Sequence, residues 1–113
     1  MNKIDKCVLI PEEHDLDRAL KANNKIFILF YASWCQFSAK FLPIFMDFAL
    51  SHTQKFVRIM IDDKKSLAEK YFVEVVPTVL FFENGKLAKR LDGELGLGLS
   101  KKYLRDFINN CSL

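Results

Sequence analysis

Residues 26–32, Ile-Phe-Ile-Leu-Phe-Tyr-Ala, form an unbroken apolar run that gives way, two positions later, to a helical pattern opening on a cysteine. A run this short and this apolar suits a strand covered on both faces. Beyond Cys35 the period changes. Phe37, Phe41, Phe45 and Phe48 recur every three or four residues, with Leu42 and Met46 beside them, which predicts a helix from Cys35 to about Ser51. Pro43 interrupts its hydrogen-bond ladder and predicts a bend. Such a junction requires a sheet with a helix leaving one of its buried strands. It also sets Cys35 in the first turn of that helix, where unpaired N–H groups and the helix dipole favour negative charge. A thiolate is the nucleophilic form of cysteine, and helix N-termini are among the places where its pKa falls. A sulfur nucleophile displayed at a strand-to-helix junction is therefore expected.

The remaining elements follow from the same reading. Cys7-Val8-Leu9-Ile10, ended by Pro11, reads as an edge strand, and Pro11-Glu12-Glu13 opens a helix that stops at Asn23-Asn24. Lys55 to Ile61 reads as a strand ending at Asp62-Asp63, and Ser66 to Tyr71 as a short helix. Thr78 to Phe82 and Leu87 to Leu91 flank an Asn84-Gly85 hairpin turn. Gly93, Gly96 and Gly98 mark a loop, and Ser100 can cap a last helix whose face carries Tyr103, Leu104, Phe107 and Ile108. The order β-α-β-α-β-α-β-β-α predicts an α/β fold: a central mixed sheet flanked by helices on both faces. With 113 residues, half of them hydrophobic and 11 of them Phe, the chain has material for one domain with a single well-filled core.

Trp34-Cys35-Gln36-Phe37-Ser38 resembles the active-site motif of the thioredoxin family, Trp-Cys-x-x-Cys, with Ser38 in place of the second cysteine. Pro43 lies where thioredoxins kink the same helix, Val76-Pro77-Thr78 is similar to their cis-proline segment, and Phe82-Glu83-Asn84-Gly85-Lys86 to their hairpin turn. The likeness runs from about Leu16 to Phe107, and it implies a thioredoxin fold for a single domain, residues 1–113. It also implies roles. Cys35 would attack a disulfide sulfur and form a mixed disulfide. Ser38, one turn along, is no redox partner, but its hydroxyl could donate a hydrogen bond to the Cys35 thiolate. Cys35 could then start exchange without completing a two-electron reduction, and release would need an outside thiol: glutathione as co-substrate, or a cysteine of another protein. Leu29 stands where thioredoxins bury an aspartate that serves the resolving cysteine. The joint loss of base and thiol argues that Ser38 is native. Arg58, at the place of that aspartate's lysine partner, is expected to reach outward. The substrate groove would be formed by Trp34, Gln36, Phe37, Val76, Pro77 and Gly93. Phe37, where the family commonly has proline, either widens the apolar rim or packs inward. Val76 would precede a cis peptide bond and pair its backbone with an extended peptide.

Other features narrow the function. A net charge of +3 with scattered basic residues is a poor footprint for nucleic acid. No apolar run approaches a membrane span, and the start, Met1 to Cys7, is too charged for a signal peptide, so a cytoplasmic protein acting as a monomer on protein thiols and disulfides is expected. Three cysteines do not suggest a disulfide framework. Cys7 and Cys111 read as incidental thiols, with a resolving role left open. His14 and His52 lack zinc-ligand spacing and read as surface residues, so neither a metal nor a resident cofactor is expected. Two alternatives stand beside the redox reading. One is a non-catalytic module that keeps the groove of Trp34, Phe37, Val76 and Gly93 to grip a partner. The other is iron–sulfur ligation, because Cys35-Gln36-Phe37-Ser38 superficially resembles the Cys-Gly-Phe-Ser of monothiol glutaredoxins. Gln36 in place of the glycine argues against it.

Overall fold

The computed structural model describes residues 6–111, so the charged run Met1 to Asp5, on which the signal-peptide reading rests, lies outside the described residues. In chain order the elements are β1 (Cys7–Leu9), α1 (Glu13–Ala22), β2 (Lys25–Tyr31), α2 (Gln36–Ser51), β3 (Lys55–Met60), α3 (Lys65–Lys70), β4 (Thr78–Glu83), β5 (Lys86–Leu91) and α4 (Lys101–Asn109). A 3-10 turn, Ile61–Asp63, joins β3 to α3. The strands form one five-stranded sheet in the order β1-β3-β2-β4-β5. β1, β3 and β2 run parallel, whereas β4 is antiparallel to both β2 and β5. This is the mixed sheet expected from the order of elements, in the fold that the resemblance implies.

β2 is the middle strand, and its register explains the apolar run. Leu29 lies opposite Arg58 on one side and Val79 on the other. Phe27, Leu29 and Tyr31 point into a layer with Phe41 and Phe45 of α2 and Leu104, Phe107 and Ile108 of α4. Ile26, Ile28, Phe30 and Ala32 point into the opposite layer, with Leu16 of α1 and Leu67 and Ala68 of α3. Both faces are covered, so period-2 alternation between apolar and polar residues has no reason to appear. The first layer is knitted by aromatics: Phe27 packs on Phe56 and Phe81 with ring centroids 4.9 and 4.7 Å away. Each such buried ring contributes about 1.5–3 kcal/mol by removal from water, and truncating Phe27 to Ala would cost roughly 3–5 kcal/mol.

The sheet edges are β1 and β5. β5 is largely exposed and carries Lys86, Lys89 and Arg90, charges that discourage pairing with another chain. Ser100 caps α4, its hydroxyl accepting the Tyr103 amide at 3.2 Å. Two expectations need correction. Arg58 does not simply reach outward: it is half-buried and donates to the Cys7 carbonyl, tying β1 to β3. Burial opposes its charge, yet hydrogen bonds with Tyr31 and Cys7 outweigh that and hold its pKa above the ordinary arginine value. His52 is likewise not a plain surface residue. It ends α2 half-buried, stacked on Phe48 at 5.7 Å, with Nδ1 2.8 Å from the Phe48 carbonyl oxygen. Among the described residues no helix is long and apolar enough to cross a membrane.

Candidate active site

β2 delivers the chain to Ala32, and the turn Ser33-Trp34 carries it into α2. Cys35 is the N-cap of α2 rather than its first helical residue: its backbone is extended, and its carbonyl accepts the first helical bond from Ala39 at 3.0 Å. The sulfur therefore stands at the positive end of a 16-residue helix whose first turn holds no acidic residue. It is half-buried and lies 3.8 Å from the Val76 carbonyl oxygen, 41 residues away in sequence. Val76 and Pro77 are joined by a cis peptide bond.

The segment carrying Val76 is held from behind. The Thr78 hydroxyl donates to the Val75 carbonyl at 2.6 Å and accepts the Gly93 amide at 3.2 Å. On the other side of the cysteine, Asp62 fixes the turn. Its carboxylate accepts the Ser33 amide at 3.0 Å and the Ser33 hydroxyl. Those bonds, the hydroxyl first, hold the Asp62 carboxyl below the usual carboxylate range. Sequence reasoning finds neither the Thr78 nor the Asp62 role. Thr78 carries a signal, a polar residue at the head of an otherwise apolar strand. Asp62 carries none, because its partner is 29 residues away.

Trp34, Cys35, Phe37 and Val76 line one cavity of about 380 Å³, together with Ile61, Val73, Glu74, Val75, Glu94, Leu95 and Gly96. Phe37 resolves between its two readings toward the rim, half-buried, with Gly98 pressed on its side chain. The other expected groove residues do not themselves line this cavity. Gln36 is exposed outside the cavity, Pro77 is buried beneath it, and Gly93 packs against the Pro77 carbonyl. Ser38 is buried, and its hydroxyl oxygen accepts the Ala32 amide at 3.2 Å at the end of β2, which leaves the hydroxyl hydrogen to donate. A hydroxyl one turn along α2 is drawn to the nearest unpaired strand amide, which would otherwise be buried without a partner.

Cys7 and Cys111 are buried thiols in the layer between the sheet and α2 and α4, whereas Cys35 packs against the opposite layer. The Cys111 thiol donates to the Phe107 carbonyl at 3.3 Å, and burial pushes its pKa up. No cluster of three or more metal-ligating side chains occurs among the described residues. A larger cleft of about 570 Å³ lies between the end of α1 and the Asn84-Gly85 turn, lined by Asp17, Leu20, Lys21 and three asparagines and without a thiol.

The sequence model of the Thioredoxin family matches residues 7–110. The chain is 31% identical over 97 residues to a thioredoxin of Mycoplasmoides gallisepticum, spanning 85% of this chain and 97% of that protein. It is 35% identical over 92 residues to thioredoxin H4 of Arabidopsis thaliana, spanning 80% of this chain and 77% of the relative. Among solved structures, a point mutant of a thioredoxin from Halobacterium salinarum superposes with a TM-score of 0.81, covering 96% of this chain and 94% of its own at 23% identity.

Proposed function

The chain belongs to the thioredoxin family, and from that premise we propose that it performs thiol–disulfide exchange through one sulfur, Cys35, with no internal thiol to resolve the product. The Cys35 thiolate attacks one sulfur of a protein disulfide. That S–S bond breaks, its other sulfur leaves as a thiolate and takes a proton from water, and Cys35 is left in a mixed disulfide. An outside thiol, glutathione or a cysteine of another protein, then attacks and discharges it. One observation carries the reading: the Cys35 sulfur lies 3.8 Å from the Val76 carbonyl at the edge of a cavity, while the residue one turn along α2 is a buried hydroxyl bonded to Ala32. In this reading the Val76 backbone pairs with an extended peptide whose cysteine meets Cys35. The apolar Leu29, fully buried, gives no base for a second thiol. In this reading the chain acts as a monomer in the cytoplasm, where thiols are kept reduced.

The test is an adduct. Reduced protein is mixed with a peptide disulfide and analysed by mass spectrometry. One adduct, mapped to Cys35 and discharged by added thiol, is expected, and Cys35→Ser should form none. An adduct on Cys7 or Cys111, or no adduct at all, would overturn the proposal. The exposure of Trp34, 72% beside an apolar cavity, favours one alternative, a groove that grips partners without chemistry. That reading requires Cys35→Ala to keep its partners.

A further inference from the structure

We infer that the groove favours substrate cysteines flanked by lysine or arginine, so that basic protein segments form the mixed disulfide with Cys35 faster than anionic substrates such as a glutathione disulfide. The inference rests on the exchange reading above and adds its substrate class. The chain as a whole carries a net charge of +3, yet the cavity beside Cys35 is lined by two carboxylates, Glu74 and Glu94, and by no lysine, arginine or histidine. Both glutamates are exposed, and neither forms an ion pair with any described residue. The nearby cation Arg90 is committed elsewhere: its guanidinium holds Asp92 at 2.7 Å and the Tyr71 and Phe72 carbonyls at 2.9 Å. The local sign of charge is thus the reverse of the global one, and it sits at the mouth of the reactive site.

Glu94 stands on well-held backbone. Glu94 closes a turn in which its amide donates to the Gly98 carbonyl at 3.1 Å and its carbonyl accepts the Gly98 amide at 2.7 Å. That turn lifts Leu95 to 87% exposure, facing solvent on the same cavity as Trp34. Glu74 lies between Val73 and Val75, in the stretch that leads to Val76. An extended peptide paired along Val76 would therefore set its cysteine at the Cys35 sulfur, apolar neighbours on Trp34 and Leu95, and basic side chains toward Glu74 and Glu94. Glutathione brings two carboxylates and meets no cation in this lining.

The experiment uses the full chain and peptides activated as 2-pyridyl disulfides. Cys35 attacks the peptide sulfur, the peptide–pyridyl S–S bond breaks, and pyridine-2-thione leaves with a proton from water. Its absorbance reports the rate, and the leaving group is the same neutral one throughout. Four substrates are compared: a cysteine flanked by lysines, by alanines, by glutamates, and glutathione itself. The lysine peptide should react about tenfold faster than the glutamate peptide and glutathione at low salt, and the ratio should shrink as salt is raised. In Glu74→Gln/Glu94→Gln the ratio should fall close to one. Equal rates for all four substrates in the wild type would overturn the selectivity while leaving exchange intact, as would a ratio that survives in the double variant. Failure of every substrate to react would instead overturn the exchange reading beneath it.

Discussion

Gly93 stands so close to Pro77 that a β-carbon on it would lie 2.3 Å from the Pro77 carbonyl oxygen. Hydrogen alone fits there, because the obstructing atom is backbone and has no rotamer by which to withdraw. The same glycine donates its amide to Thr78, whose hydroxyl also bonds Val75. The segment that brings Val76 to Cys35 is thus pressed and tied from one side by Gly93.

Gly93→Ala should therefore destabilise the fold by about 1–3 kcal/mol, as overpacking does. It should also slow exchange at Cys35, because the Val75–Pro77 backbone must shift away. Urea unfolding midpoints and exchange rates check both effects. An unchanged midpoint with unchanged exchange would mean that this contact does not hold the segment.

Asp62 gives a prediction with a pH signature. Hydrogen bonds from the Ser33 hydroxyl and amide hold its carboxyl below the usual range. A carboxyl depressed in the folded state contributes stability that is present above its unfolded pKa, about 3.9, and lost as the pH falls through the lower folded value. Asp62→Ala should accordingly be less stable than wild type at neutral pH, and the gap should close on acidification below about pH 4. Unfolding midpoints of both proteins across that range are the measurement. A gap that does not depend on pH would assign the effect to something other than the carboxylate.

The three thiols should separate cleanly by access. Cys7 and Cys111 are 1% and 8% exposed and belong to the α2 and α4 layer, whereas Cys35 sits at the cavity edge. Iodoacetamide applied to the native protein should label Cys35 faster than a free cysteine and leave the other two unlabelled until denaturant is added. Peptide mapping after brief labelling checks this, and early label on Cys7 or Cys111 would show that a second thiol is within reach of solvent.

Much of this is legible in the sequence where the signal is local. The β2 run, the switch of period at Cys35, the Asn84-Gly85 turn and the Ser100 cap depend on neighbours within a few residues, and the structure places them within a residue or two of expectation. The apolar period sets Cys35 one position inside the helix that it in fact caps, because sequence cannot separate the N-cap from the first turn. What the sequence leaves hidden depends on contacts between distant elements. Ser38 accepts the Ala32 amide at the end of β2, a bond between strand and helix that no neighbouring residue signals. Arg58 donates to the Cys7 carbonyl of the edge strand β1, a contact across 51 residues that nothing beside it in sequence signals. Phe72, in the left-handed region at φ 55° and 77% exposed, is held by Arg90, and no residue beside it signals that conformation. Glu74 and Glu94 come together only because two loops meet at one cavity.

The most direct test compares the wild type with Ser38→Cys after each has met one equivalent of a peptide disulfide, with no other thiol present. The wild type should stop as a stoichiometric mixed disulfide on Cys35 and retain the peptide. Ser38→Cys should release the peptide as a free thiol and keep an internal disulfide between Cys35 and the introduced sulfur, since a thiol one turn along the helix can attack where a hydroxyl cannot. Release of the peptide by the wild type without added thiol would contradict the claim that Cys35 acts without an internal partner.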